Sequence, residues 1–229
     1  MKRSPTVAVI ALIGALLFNV YATNGLAQES NIDAEGSEDA PQVTGFRSAL
    51  FGMTESQTLQ AIDRDFEISK NEIAKQSNPE ERTSSLEAVI ADIFPGSDLA
   101  QIAYIHGYDT EKLIQINILW GLPVTDEVDP QTLVSTANVL RNYFVQLGFD
   151  PGSTVANTFV NDGLLIVFRA VDEQGRMVLL QLISQEITAV DEEGNEKPEE
   201  STIQPVSLLL SYIENPKNPD IFQIEKGKF

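Results

Sequence analysis

Residues 112–120 read Lys-Leu-Ile-Gln-Ile-Asn-Ile-Leu-Trp, with Ile114, Ile116, Ile118 and Trp120 on one side and Gln115 and Asn117 on the other. A period of two places successive side chains on opposite faces of a strand, and a helix of 3.6 residues per turn would scatter the same isoleucines around its circumference. Two more strand-like runs precede it. Residues 85–94 end at Pro95-Gly96-Ser97-Asp98, and residues 100–108 end at Asp109-Thr110-Glu111, while the third run ends at Gly121-Leu122-Pro123. Connections this short join neighbouring antiparallel strands, so a meander is expected with one face packed and the other wet.

A helix should lie ahead of this meander. Thr54-Glu55-Ser56-Gln57 has the form of a capping box, in which the Thr54 hydroxyl accepts from the Gln57 amide and the Gln57 side chain reaches back. Leu59, Ile62 and Phe66 follow at helical spacing as a buried stripe. The arrangement then recurs. Asp129-Pro130 opens a second helix, with Asp129 as N-cap and Pro130 where its missing amide hydrogen is not needed. Leu133, Ala137, Leu140, Phe144 and Leu147 form its stripe, and Gly148 suits its end. Strand-like runs follow at 164–171, 177–187 and 206–213, the last two separated by a charged excursion over 191–200.

The expected fold class is therefore α+β, built as two-layer units of a helix on an antiparallel sheet, with two tandem helix-then-three-strand halves at 43–124 and 125–229. Ile102-Ala103-Tyr104 and Ile166-Val167-Phe168 begin similar hairpins at an offset of 64. Diverged duplication and the ordinary alternation of any two hairpins both account for that likeness.

Outside these halves, residues 1–27 read as a secretory signal. Lys2 and Arg3 precede an apolar run over 7–18, and Gly25-Leu26-Ala27 offers a small-x-small cleavage site. The run is shorter than the roughly 20 residues that span a bilayer core, so cleavage after Ala27 is expected and a permanent anchor is not. Residues 28–42 are acidic and poor in large apolar groups, which reads as a disordered leader. The destination is the periplasm or the exterior.

Charge narrows the partners. The chain carries 34 acidic and 15 basic residues, a net charge of −19, and loss of residues 1–27 removes Lys2 and Arg3 to give −21. Nucleic acid is disfavoured, because affinity for phosphates comes from Lys and Arg. The absence of cysteine excludes a disulfide framework, a thiol nucleophile and a lipidated N-terminal Cys.

Catalytic constellations are not visible. His106 is the single histidine and falls in register with Ile102 and Tyr104 near a hairpin tip, among packing residues. Carboxylates are abundant but unpatterned: the acidic run from Asp191 lacks the order of a calcium loop. No nucleophile elbow, phosphate loop or dinucleotide turn is present. No catalytic residue, cofactor or metal ligand is therefore assigned, and Trp120 and Phe51 remain the candidates for contact with a partner, either a protein or a small molecule. A non-catalytic exported binding protein is the leading expectation, and a hydrolase relying on carboxylates is the alternative.

The stretches Gly45-Phe46-Arg47-Ser48-Ala49-Leu50-Phe51-Gly52-Met53-Thr54 and Leu113-Ile114-Gln115-Ile116-Asn117-Ile118-Leu119-Trp120-Gly121 resemble uncharacterised secreted proteins of proteobacteria, chiefly alphaproteobacteria. That resemblance covers about residues 45–121 and implies an envelope location without implying an activity. Gly52-Met53-Thr54 opening a helix also resembles outer-membrane-assembly lipoproteins of the SmpA/BamE type, although the lipidation cysteine of that group is missing here.

Overall fold

The computed structural model describes residues 40–190, 196–224 and 227–228. The signal-peptide reading of residues 1–27 and the leader reading of residues 28–39 lie outside the described residues. Val43 is already buried, its amide donating to the Asp172 carboxylate at 2.9 Å.

A small hairpin comes first, β1 (Gly45–Phe46) with β2 (Ala49–Leu50). Helix α1 (Glu55–Phe66) then starts as its capping box dictates: Thr54 Oγ1 accepts from the Gln57 amide at 3.3 Å, and Gln57 Oε1 accepts from the Thr54 amide at 2.9 Å. Four strands follow, β3 (Ala74–Ser77), β4 (Ser84–Ile90), β5 (Ala100–His106) and β6 (Leu113–Gly121). Helix α2 (Pro130–Gln146) begins at Asp129, whose carboxylate accepts from the amides of Gln131 and Thr132. Four more strands follow among the described residues: β7 (Val155–Asn161), β8 (Leu164–Val171), β9 (Met177–Val190) and β10 (Glu196–Ile213).

All eight longer strands form one antiparallel sheet in the order β3-β4-β5-β6-β10-β9-β8-β7. Register aligns three apolar rows across its helix-bearing face. Leu86, Tyr104, Ile116, Tyr212, Val178 and Ala170 form the first, and Ala88, Ile102, Ile118, Leu210, Leu180 and Phe168 the second. The third runs Ile90, Ala100, Trp120, Leu208, Leu182 and Leu165. Ala61 and Ile62 of α1 and Leu133, Ala137 and Phe144 of α2 pack into the same core. The two helices thus cover a single face. Phe144 anchors α2, with its ring stacked on Phe168 at 5.5 Å and set edge-on to Tyr212 at 6.3 Å.

The mixed α+β class is as expected, but the protein is mostly sheet, and several boundaries need correction. Each helix is followed by four strands rather than three. The overlooked β3 and β7 are edge strands whose side chains are almost all exposed, so burial imposes no apolar alternation on them. Strand β4 stops at Ile90, because Asp92 adopts a positive φ of 48° and turns the chain. The 191–200 excursion is partly strand: Glu196 and Lys197 lie opposite Val190 and Ala189 in the β9–β10 ladder, while residues 191–195 lie outside the described residues. The expected wet face is not simply wet either, since Leu119 and Leu209 occupy it on the central strands. The offset of 64 also matches non-equivalent hairpins. It sets β5–β6 against β8–β9, whereas counting from each helix makes β4–β5 the counterpart of β8–β9.

Candidate functional site

A cleft of about 630 Å³ opens where the first turn of α1, the β3–β4 turn and the β5–β6 turn meet. Backbone bonds fix its walls. The Gly52 amide donates to the Leu113 carbonyl and the Leu113 amide donates to the Met53 carbonyl, so the segment leading into α1 is stitched to the start of β6. Thr54 and Lys112 continue this ladder as an isolated bridge.

His106 forms part of the floor. It is 2% exposed, and its Nε2 lies 3.0 Å from Thr58 Oγ1 on α1. The Thr58 hydroxyl is also a donor to the Thr54 carbonyl at 3.1 Å. Burial holds the imidazole below its ordinary pKa; Glu55 opposes that shift, Lys75 adds to it, and the Tyr104 backbone opposes it. The side chain is neutral at pH 7 and ties the sheet to the helix, as the sequence position among packing residues suggests.

Three cations line the cleft, Lys75, Arg82 and Lys112, against two carboxylates, Glu55 and Glu111, so its lining is more basic than the net-acidic chain. Lys75 Nζ pairs with Glu55 at 2.6 Å, linking β3 to α1 across the opening. Both partners are substantially solvated, so this pair adds little to stability. Arg82 lies 3.6 Å from the Phe222 ring centroid and 5.7 Å from that of Tyr108, while its Nη1 is 3.4 Å from the Tyr108 hydroxyl. Tyr108 and Phe222 meet edge to face at 5.6 Å.

Phe222 belongs to a strap that follows β10 and crosses the hairpin ends. Its anchor is Asp220. One carboxylate oxygen accepts from the Asp109 amide at 2.9 Å, and the other accepts from the Thr110 amide at 3.0 Å and the Thr110 hydroxyl at 2.6 Å. The Tyr108 amide donates to the Asp220 carbonyl, and the Phe222 amide donates to the Glu81 carbonyl. Partial burial raises the Asp220 pKa, but the Thr110 hydroxyl and the two turn amides outweigh it and hold the carboxyl below its ordinary range.

The two residues expected to touch a partner do not lie in this cleft. Trp120 is 1% exposed and packs edge-on against Phe94 at 6.5 Å, so its indole is a core group with no surface to offer. Phe51 is half-buried against the main core, its amide held by the Thr44 carbonyl. Sequence reasoning missed the Lys75, Arg82 and Lys112 cluster because β3 was overlooked, which hid the β3–β4 hairpin shared by Lys75 and Arg82, and because Lys112 joins them only through the pairing of β4, β5 and β6. Among the described residues, no group of three or more His, Asp or Glu side chains is placed to hold a metal ion. No helix among them is long and apolar enough to cross a membrane.

The site sits on a mixed α+β scaffold dominated by one eight-stranded antiparallel sheet, and no known family model, curated protein or solved structure matches the chain.

Proposed function

We propose that this chain is an exported binding protein, and that the cleft below α1 holds a small ligand bearing a carboxylate or phosphate. The convergence of Lys75, Arg82 and Lys112 carries this reading. In a chain of net charge −19 an anion is repelled at long range, so a local cluster of cations is where one can be retained. Arg82 lies against the Phe222 ring and reaches the Tyr108 hydroxyl, and a guanidinium suits bidentate contact with an oxyanion. The amides of Glu55 and Ser56 in the first turn of α1 add favourable dipoles.

Export rests on the apolar run at 7–18 and the Gly25-Leu26-Ala27 site. Kinship with the exported proteobacterial proteins that residues 45–121 resemble belongs to the same proposal. So does a tandem origin of the two halves, supported by the mirrored order of helix-led strands about the β6–β10 pair.

Titration with inorganic phosphate and with succinate, followed by amide shifts of Glu55, Ser56 and Lys112, tests the ligand class. Saturable shifts that weaken in Lys112→Gln support it, and shifts no larger than chloride produces would sink it. N-terminal sequencing of the exported protein tests the address, with Gln28 expected first.

One observation favours a hydrolytic alternative. Burial raises the pKa of Glu87, against the opposing hydrogen bonds from Ser85 and Gln101, as a general acid requires. Turnover on a substrate panel, abolished in Glu87→Gln, would establish it.

A further inference from the structure

A second cleft, of about 540 Å³, lies on the other side of the strap. The start of β6, the β8–β9 turn and the first residues of the strap form its walls, and buried Ile114 and Ile213 supply apolar lining. The Glu214 amide donates to the Ile114 carbonyl at 2.9 Å, which fixes the strap to β6 as it leaves the sheet. Asp220 lines this cleft, while Tyr108 and Thr110, which it holds, line the cleft below α1. The strap therefore divides two recesses.

Charges of both signs meet in the second one. Arg176 comes from the β8–β9 turn, and Lys217 and Glu214 come from the strap. Glu214 follows β10 by one residue and Arg176 precedes β9 by one, so the two stand side by side just past the Ile213–Met177 register pair. They are not joined. Among the described residues, neither Arg176 nor Lys217 forms an ion pair, and the hydrogen bonds of Arg176 are those of its backbone amide and carbonyl. Asp220 differs, because both of its oxygens are taken by donors of Asp109 and Thr110. One uncommitted carboxylate thus faces two uncommitted cations.

A simple anion entering here meets the repulsion of Glu214, and a simple cation meets that of Arg176 and Lys217. A ligand carrying both charges satisfies all three groups. Burial raises the Glu214 pKa, Arg176 is near enough to oppose the rise, and Asp220 adds to it, so an ammonium beside the carboxylate favours its charged form. The spacing limits the ligand. Side chains facing each other across an antiparallel pair start about 5 Å apart, which suits charged groups separated by few bonds. Gln174 and Asn215 also line the cleft, with amide donors and acceptors suited to a peptide group. The volume falls within the roughly 300–1,000 Å³ of small-molecule sites.

We infer that this second cleft binds an α-amino acid or dipeptide through both charged ends, the carboxylate on Arg176 and Lys217 and the ammonium on Glu214. Titration with glycylglycine, followed by amide shifts, reads this directly. Saturable shifts are expected at Gly175, Arg176 and Asn215, with Glu55 and Ser56 of the other cleft unmoved. N-acetylglycylglycine lacks the ammonium and glycylglycinamide lacks the carboxylate, so each should bind at least ~10-fold more weakly. Arg176→Gln and Glu214→Gln should each weaken glycylglycine by a similar factor, and Glu214→Gln should also erase the preference over N-acetylglycylglycine. Lys217→Gln changes an exposed side chain and should weaken binding without disturbing the fold, whereas Lys70→Gln, outside both clefts, should leave it unchanged. The proposal is overturned by an absence of saturable shifts up to ~20 mM glycylglycine, by equal affinity for the blocked peptides, or by shifts confined to Glu55 and Ser56.

Discussion

The carboxylate of Asp220 reaches across 110 residues of sequence to accept both the amide and the hydroxyl of Thr110. Gly107 makes that approach possible, since a Cβ there would overlap the Asp220 carboxylate. The strap and the β5–β6 turn are therefore one unit, in which the turn supplies donors and the strap supplies the acceptor.

Asp220→Ala should cost about 1–2 kcal/mol, because charge-assisted bonds are lost from a largely solvated site. Gly107→Ala should produce a similar loss by displacing the same carboxylate. The pH dependence has a definite sign: a carboxyl held below its ordinary value contributes above that value and ceases to contribute as pH falls through the lowered one. Denaturant melts across acid pH should show the wild type converging on Asp220→Ala. A constant gap would assign the effect to packing.

Phe144→Ala should cost roughly 3–5 kcal/mol through lost burial and a cavity between Phe168 and Tyr212. Asn142 is exposed on the same helix, and Asn142→Ala should stay within about 0.5 kcal/mol. Equal losses in chemical denaturation would contradict the packing of α2.

His106 is buried as the neutral imidazole, so the unfolded chain binds its proton more readily. Its contribution is complete above the ordinary imidazole value of about 6.5 and declines as pH falls below it. The wild type should lose stability between pH ~7.5 and ~5 by more than His106→Gln does. Matching slopes in the two proteins would remove His106 as the cause.

Glu87 has the opposite sign. Burial raises its pKa, so its charge opposes folding at neutral pH and the opposition vanishes when the carboxyl is protonated. Glu87→Gln should raise the denaturation midpoint at neutral pH and lose that advantage near pH ~4. A lowered midpoint at pH 7 would mean that the Ser85 and Gln101 bonds to the carboxylate outweigh its burial.

Local chemistry made the helices and central strands legible. Thr54 and Gln57 specify a helix start within four residues, Asp129 does so with Pro130, and the Ile114, Ile116 and Ile118 alternation specifies a strand and its faces. The edges were not legible, since Ala74–Ser77 and Val155–Asn161 are held by ladder bonds that depend little on side chains. The cleft was hidden for a different reason. Lys75 and Arg82 share a hairpin whose first strand was not visible, and Lys112 and Phe222 reach that hairpin only after β4 pairs with β5 and the strap returns. Trp120 misled because a strand-end indole looks the same in sequence whether it faces the core or the solvent.

The last of the described strands fills the middle of the sheet, with Ser207 of β10 paired to Gly121 of β6. The two sets of strands have no shared ladder until residues beyond 200 arrive, and pairings this distant in sequence form slowly. The keystone position of β10 would make closure of the sheet wait for residues 205–213, whichever set of strands forms first.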